Sequence, residues 1–101
     1  RPMYVIIWEF QVKAGRQKDF EKLYATNGIW AKLFRRGPGY LSTELVRDPK
    51  RPQRYVTIDR WISSEAYEMF IQKWKEDYEA LDSYCRNLTE HEALLGAFTQ
   101  I

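Results

Sequence analysis

Residues 54–81 read RYVTIDRWISSEAYEMFIQKWKEDYEAL, and two periodicities meet inside them. Residues 55–62 are dense in β-branched and aromatic side chains, the composition of a strand. From Ser63 onward the apolar positions are Tyr67, Phe70, Ile71, Trp74, Tyr78 and Leu81. Steps of three and four trace one face of a helix, predicted here over residues 63–81. Ser63 is the expected N-cap, with Ile62 and Tyr67 placed to staple the chain entry. Glu65 and Glu68 fall in the first turns, where the helix dipole favours anions. No loop separates strand from helix, so the chain must turn sharply. Trp61 and Tyr67 flank that corner, and a functional site is expected there.

Upstream, Tyr4, Ile6, Trp8, Phe10 and Val12 alternate with Val5, Ile7, Glu9, Gln11 and Lys13. One face is apolar throughout and the other turns polar half way, as in a strand ending near solvent or a cleft. Residues 16–36 read as a helix interrupted at Asn27-Gly28, because glycine costs a helix about 1 kcal/mol relative to alanine. Gly37-Pro38-Gly39 ends it. Residues 40–47 form a second strand, and the two prolines of residues 48–53 mark a hairpin loop. Residues 82–91 read as a polar loop, with Thr89 capping a short turn. Residues 94–99 form the last strand, with Gly96 at a bulge or close backbone approach.

The order β-α-β-β-α-β predicts an α+β, ferredoxin-like fold: a four-stranded antiparallel sheet with helices on one face. The row Tyr4, Ile6, Trp8 and Phe10 is too apolar for water. If the helices take the opposite face, that row calls for a partner sheet, and a symmetric homodimer is the simplest arrangement.

A chain of 101 residues is expected to form one domain spanning residues 1–101. Its aromatic share of 16% suits either a small dense core or a pocket for a flat apolar ligand. A net charge of +2 is too weak to imply nucleic acid or an anionic membrane. Charge is nevertheless uneven: residues 32–54 hold seven basic against two acidic residues, and residues 65–82 hold six acidic against two basic. These are two solvated faces or complementary patches for self-association or an anionic ligand. The single cysteine, Cys85, rules out an internal disulfide and fits a reducing, cytoplasmic setting. The longest apolar run, residues 4–8, is far too short to span a membrane. No signal peptide is visible, and the start at Arg1 rather than Met suggests processed or added leading residues.

The segments GIWAKLFRRGPGYLSTELVRD (residues 28–48) and RYVTIDRWISSEAYEMF (residues 54–70) resemble antibiotic-biosynthesis-monooxygenase domains of the dimeric α+β barrel superfamily. The resemblance runs over residues 3–98. It implies two sheets packed across a two-fold axis, with a ligand cleft in each protomer between sheet and helices. It also implies a cofactor-independent monooxygenase acting on a small aromatic or polyketide-like substrate, without metal or flavin. In that chemistry the deprotonated substrate itself donates an electron to oxygen. Trp61 matches the strand-end tryptophan shared by the oxygenase and heme-degrading branches. Tyr67 lies where polyketide oxygenases carry a tyrosine proposed to handle a proton, and their strand asparagine is Thr57 here. The asparagine position of heme-degrading members is Glu9, and residues 63–81 contain no histidine, which argues against heme breakdown.

Trp61 and Tyr67 are therefore the candidate catalytic residues, and Thr57, Asp59, Glu9, Trp30 and Phe34 the candidate substrate contacts. Each also has a structural reading. Trp61, Tyr67, Trp30 and Phe34 can be core, the last two alternatively a lid wall. Asp59, in mid-strand, must be exposed or paired: a cross-strand salt bridge or a cleft acid. Glu9 poses the same choice. If both reached one cleft, one could have a raised pKa and act as base. Arg35 and Arg36 are a solvated helix end or contacts for an anionic group. His91 alone cannot build a zinc site, and Cys85 has no nearby histidine to activate it. The alternative function is a non-catalytic dimer binding a small hydrophobic ligand, heme among the candidates. RNA binding is disfavoured because YVTIDRW lacks the basic, glycine-containing pattern of RNA-reading strands.

Overall fold

The computed structural model describes residues 3–101, so Arg1 and the reading placed on it lie outside the described residues. Strand β1 (Tyr4–Val12) leads into helices α1 (Gln17–Tyr24) and α2 (Ile29–Phe34). Strands β2 (Tyr40–Arg47) and β3 (Arg54–Trp61) form a hairpin. Helices α3 (Ser64–Lys73) and α4 (Lys75–Cys85), a short 3-10 turn (Arg86–Leu88) and strand β4 (Thr89–Thr99) complete the order. The sheet is antiparallel throughout, in the order β2-β3-β1-β4, and is open at both edges.

The corner at Ser63 forms for the reason its sequence suggests. Ser63 Oγ accepts a hydrogen bond from the Ala66 N–H at 3.1 Å, and the Ile62 N–H donates to the Gly39 carbonyl at 2.8 Å. Gly39 has φ +99°, and a Cβ there would meet Ile62 and Ala66 at 2.7 and 2.8 Å. The break at Asn27-Gly28 is also present, between α1 and α2.

Three readings need correction. The row Tyr4, Ile6, Trp8, Phe10 and Val12 meets the protomer's own helices: Ile6, Phe10 and Val12 lie in the core, and Tyr4 and Trp8 pack against it. Strand alternation separates two faces but cannot tell which one the helices take. The outward face instead carries Val5, Ile7, Val56 and Ile58, with Phe98 beside Val5. Second, the helix predicted over residues 63–81 is two helices that change course at Trp74, which has φ −111° and ψ 26°. Neither glycine nor proline marks this break; Trp74 packs its ring against the core and under the Arg36 guanidinium, 4.9 Å from the ring centroid. Third, residues 82–91 are not a loop. Helix α4 continues to Cys85, and β4 begins at Thr89, with His91 paired to Gln11 on β1. The bulge lies at Leu95, beside Gly96, where the register shifts between Ile7 and Trp8.

The core is an aromatic chain. Phe10, Phe20, Tyr24, Trp30, Phe34, Trp61 and Phe70 touch in sequence, with Phe20 and Tyr24 stacked at 4.0 Å. Among the described residues no helix is long and apolar enough to cross a membrane.

Candidate functional site

Alternation along β3 sends Tyr55, Thr57, Asp59 and Trp61 toward the helices. On β1 they are matched by Phe10, Trp8, Ile6 and Tyr4. On β2, Leu45 lies opposite Thr57 and Thr43 opposite Asp59. The middle of this surface is not filled. A cavity of about 270 Å³ lies between sheet and helices. Its sheet side is Trp8, Phe10, Thr43, Thr57 and Asp59; its helix side is Tyr24, Trp30, Phe34 and Tyr78; Asp82 and Glu92 stand at its solvent-facing edge. That volume is nearly twice the roughly 150 Å³ of a cavity that accepts benzene, so about two fused rings fit.

Asp59 is the chemically distinctive group. Only 7% of it is exposed, and it has no cationic partner among the described residues. Of the two readings open for this mid-strand carboxylate, the salt bridge is therefore absent. The Thr43 hydroxyl donates to Asp59 Oδ1 at 2.6 Å, and Thr43 Oγ1 lies 2.7 Å from the Tyr40 hydroxyl. Because Thr43 has one proton and gives it to the carboxylate, Tyr40 must be the donor in the second bond. A chain Tyr40→Thr43→Asp59 thus runs from the β2 edge to the cavity. Burial pushes the Asp59 carboxyl up to about 6, and the Thr43 hydrogen bond opposes part of that rise. Burial also holds the phenols of Tyr24 and Tyr78 far above neutrality, so both remain protonated hydroxyl donors. The Trp30 indole N–H is buried and has no hydrogen-bond partner among the described residues.

The residues singled out from sequence divide. Thr57, Asp59, Trp30 and Phe34 line the cavity together. Trp61 does not: it is 0% exposed, enclosed by Phe34, Tyr40, Tyr67 and Phe70. Tyr67 packs between Trp61 and Tyr4, outside the cavity lining, and burial raises its phenol, the wrong direction for a base at neutral pH. Glu9 points to the opposite sheet face and is ion-paired with Arg54, so it cannot share a cleft with Asp59. Arg35 is held by the Thr26 carbonyl and Asn27 Oδ1, and Arg36 by Asp77 at 2.6 Å, which leaves neither on the cavity.

Sequence reading missed Thr43, Tyr78, Asp82 and Glu92, and gave Trp8, Phe10 and Tyr24 no place in the site. The hairpin offered a signal for the first: once the loop sets Arg47 opposite Tyr55, Thr43 falls opposite Asp59. Asp82 and Glu92 reach the cavity only because helix and strand replace the predicted loop.

The profile of the antibiotic biosynthesis monooxygenase family matches residues 3–83. The chain belongs to that family. Its fold is also that of SnoaB, a cofactor-independent oxygenase from Streptomyces nogalater, at 23% identity and TM-score 0.81, over 100% of this chain and 95% of that one. Two candidate antibiotic biosynthesis monooxygenases are similar: one from Nitrosomonas europaea (14% identity, TM-score 0.78, 98% and 90% covered) and one from Bordetella bronchiseptica (21%, 0.76, 100% and 99%). A comparison with curated protein sequences finds no match. As a family member, the chain has its cavity where the resemblance implied a cleft, between sheet and helices.

Proposed function

We propose that this family member is a cofactor-independent monooxygenase for a small, flat, phenolic or polyketide-like substrate. The observation carrying this reading is a buried carboxylate, Asp59, facing an aromatic-walled cavity of matching size with no counter-cation. Such a carboxylate is a base whose pKa sits close to working pH, where general-base transfer is most effective.

In the proposed reaction Asp59 takes a proton from the activated methylene or phenol of the substrate. The electron-rich anion then transfers an electron to dioxygen, and a carbon–oxygen bond forms. Collapse of the resulting hydroperoxide breaks the oxygen–oxygen bond. One oxygen atom becomes a carbonyl on the former methylene carbon, and the other leaves as water with the two methylene hydrogens. Thr57 contacts the substrate, Trp30 and Phe34 hold its ring, and the Tyr24 and Tyr78 hydroxyls are available to the developing oxyanion. Trp61 and Tyr67 act as positioning residues: the Trp61 ring backs Phe34, the Tyr67 ring backs Trp61, and neither lines the cavity. Thr43 and Tyr40 hold Asp59 in place through the hydrogen-bond chain that ends on its carboxylate.

The test is oxygen uptake with two-ring dihydroxynaphthalene substrates across pH. Activity is expected to rise as pH passes through about 6, when Asp59 ionises. Thr43→Val removes the hydrogen bond that favours the charged form, so the midpoint of the profile should move to higher pH. No uptake with any substrate, or a profile unmoved by Thr43→Val, would remove this reading.

We further propose that two protomers pair through the outward sheet face. Val5, Ile7, Val56 and Ile58 form its centre, Val46 and Phe98 are 49% and 50% exposed, and β4 is largely uncovered. Light scattering should give twice the protomer mass, and Ile58→Asp should give a folded monomer. A wild-type monomer at micromolar concentration would exclude the pairing.

A further inference from the structure

The charge on the cavity wall limits what can bind there. Three carboxylates line it, Asp59, Asp82 and Glu92, and among the described residues no lysine, arginine or histidine does. The remaining wall is mostly aromatic, with six rings on the lining. Electron-rich ring faces attract cations and repel anions, as carboxylates do. Asp59 is buried and without a cationic partner, so its charge is compensated only by the Thr43 hydroxyl. At the other edge, Asp82 accepts a 3.3 Å bond from Arg86, whose side chain is mostly in solvent. Glu92 has no ion-pair partner among the described residues, and burial together with Asp82 raises its carboxyl.

We infer that the cavity selects an aromatic ligand carrying a cationic amine, seated with its ring against Trp30 and Phe34, its acidic group at Asp59 and its ammonium at Asp82 and Glu92. The inference rests on the cavity being the ligand site proposed above. It also answers a requirement of that chemistry. The substrate passes through an anion, and the cavity wall offers hydroxyl donors but no positive side chain to balance it. A ligand that brings its own cation supplies the missing charge, and Glu92 and Asp82 fix which end carries it. Aromatic carboxylates face like charge on this wall and are disfavoured.

Binding to the intact protein, read by quenching of tryptophan fluorescence or by calorimetry, tests this with three probes. They are a naphthol, the same naphthol bearing an aminomethyl group, and the corresponding naphthol carboxylate. The amine should bind about tenfold or more tighter than the carboxylate, with the neutral parent between them, and the gap should narrow at high salt. The double variant Asp82→Asn with Glu92→Gln should bring amine and carboxylate to within a few-fold of each other, the amine weakening and the carboxylate gaining. Equal or tighter binding of the carboxylate overturns the inference, as does an amine preference that survives the double variant. Oxygen uptake measured on the same probes separates the two proposals. Amine preference without uptake retains the selectivity and removes the oxygenase; uptake without charge preference does the reverse.

Discussion

Asp59→Asn is expected to stop oxygen uptake and, at the same time, to make the protein harder to unfold at pH 8. The two effects have one cause. In the folded chain the carboxyl is raised to about 6 from its ordinary 3.8 because charging it in this cavity is unfavourable. Below pH 3.8 the group is protonated folded and unfolded, and it contributes nothing to the pH dependence. Between 3.8 and about 6 the folded state holds a proton that the unfolded state has lost, so stability falls as pH rises. Above about 6 the penalty is complete, about 3 kcal/mol for a gap of this size. Asparagine keeps an acceptor for the Thr43 hydroxyl and has no charge to bury. Its stabilising effect should therefore be largest at pH 8 and close to nil near pH 4, measured by urea unfolding at both. Loss of the base should lower kcat by about 10²- to 10⁴-fold. A variant that is less stable than wild type at pH 8, or one that retains full turnover, contradicts the assignment of Asp59.

Trp61→Ala should be the most damaging single substitution in the β3–α3 corner. The indole is fully buried, and four rings enclose it at 5.2–5.9 Å between centroids. Removing it leaves a void that the sheet and Gly37 cannot collapse into, at a cost of about 3–5 kcal/mol. Against a total of about 5–15 kcal/mol for a domain of ordinary stability, that brings the protein near unfolding. Trp61→Phe is the informative companion. It keeps much of the packing and also deletes a buried N–H that has no hydrogen-bond partner among the described residues, so its cost should be smaller. If Trp61 only positions the cavity floor, the Phe variant keeps most of its turnover with a modestly lower midpoint of unfolding. A variant as stable as wild type but inactive would instead return Trp61 to the reacting atoms.

Much of this protein was open to reading from its residues alone. Strand and helix periods are local, so the alternation of β1 and β3 and the three-four spacing after Ser63 identify the elements without tertiary information. The same holds for the Ser63 cap, the stop at Gly37-Pro38-Gly39 and the two prolines of the hairpin loop, because each acts through its own backbone geometry. Asp59 could be named because a carboxylate in mid-strand must be exposed, paired or in a cleft, Thr57 because it stands where the resembled oxygenases carry an asparagine, and Trp30 and Phe34 because their rings follow the glycine break.

What the residues left open depends on contacts between distant segments. Both faces of β1 begin apolar in sequence, and only the side chosen by the helices decides which becomes core. Trp74 bends its helix through packing, with no residue type to announce it. Glu9 and Asp59 differ by which side of one sheet they occupy, and that parity is set by register with β1. Trp61 has the chemistry of a pocket wall, yet four neighbouring rings remove it from any void. The approach of Asp82 and Glu92 to Asp59 joins α4, β4 and β3, an encounter created by the sheet order β2-β3-β1-β4. Local sequence specifies which surfaces are apolar or charged; the free energy of packing them together determines which ones enclose a cavity.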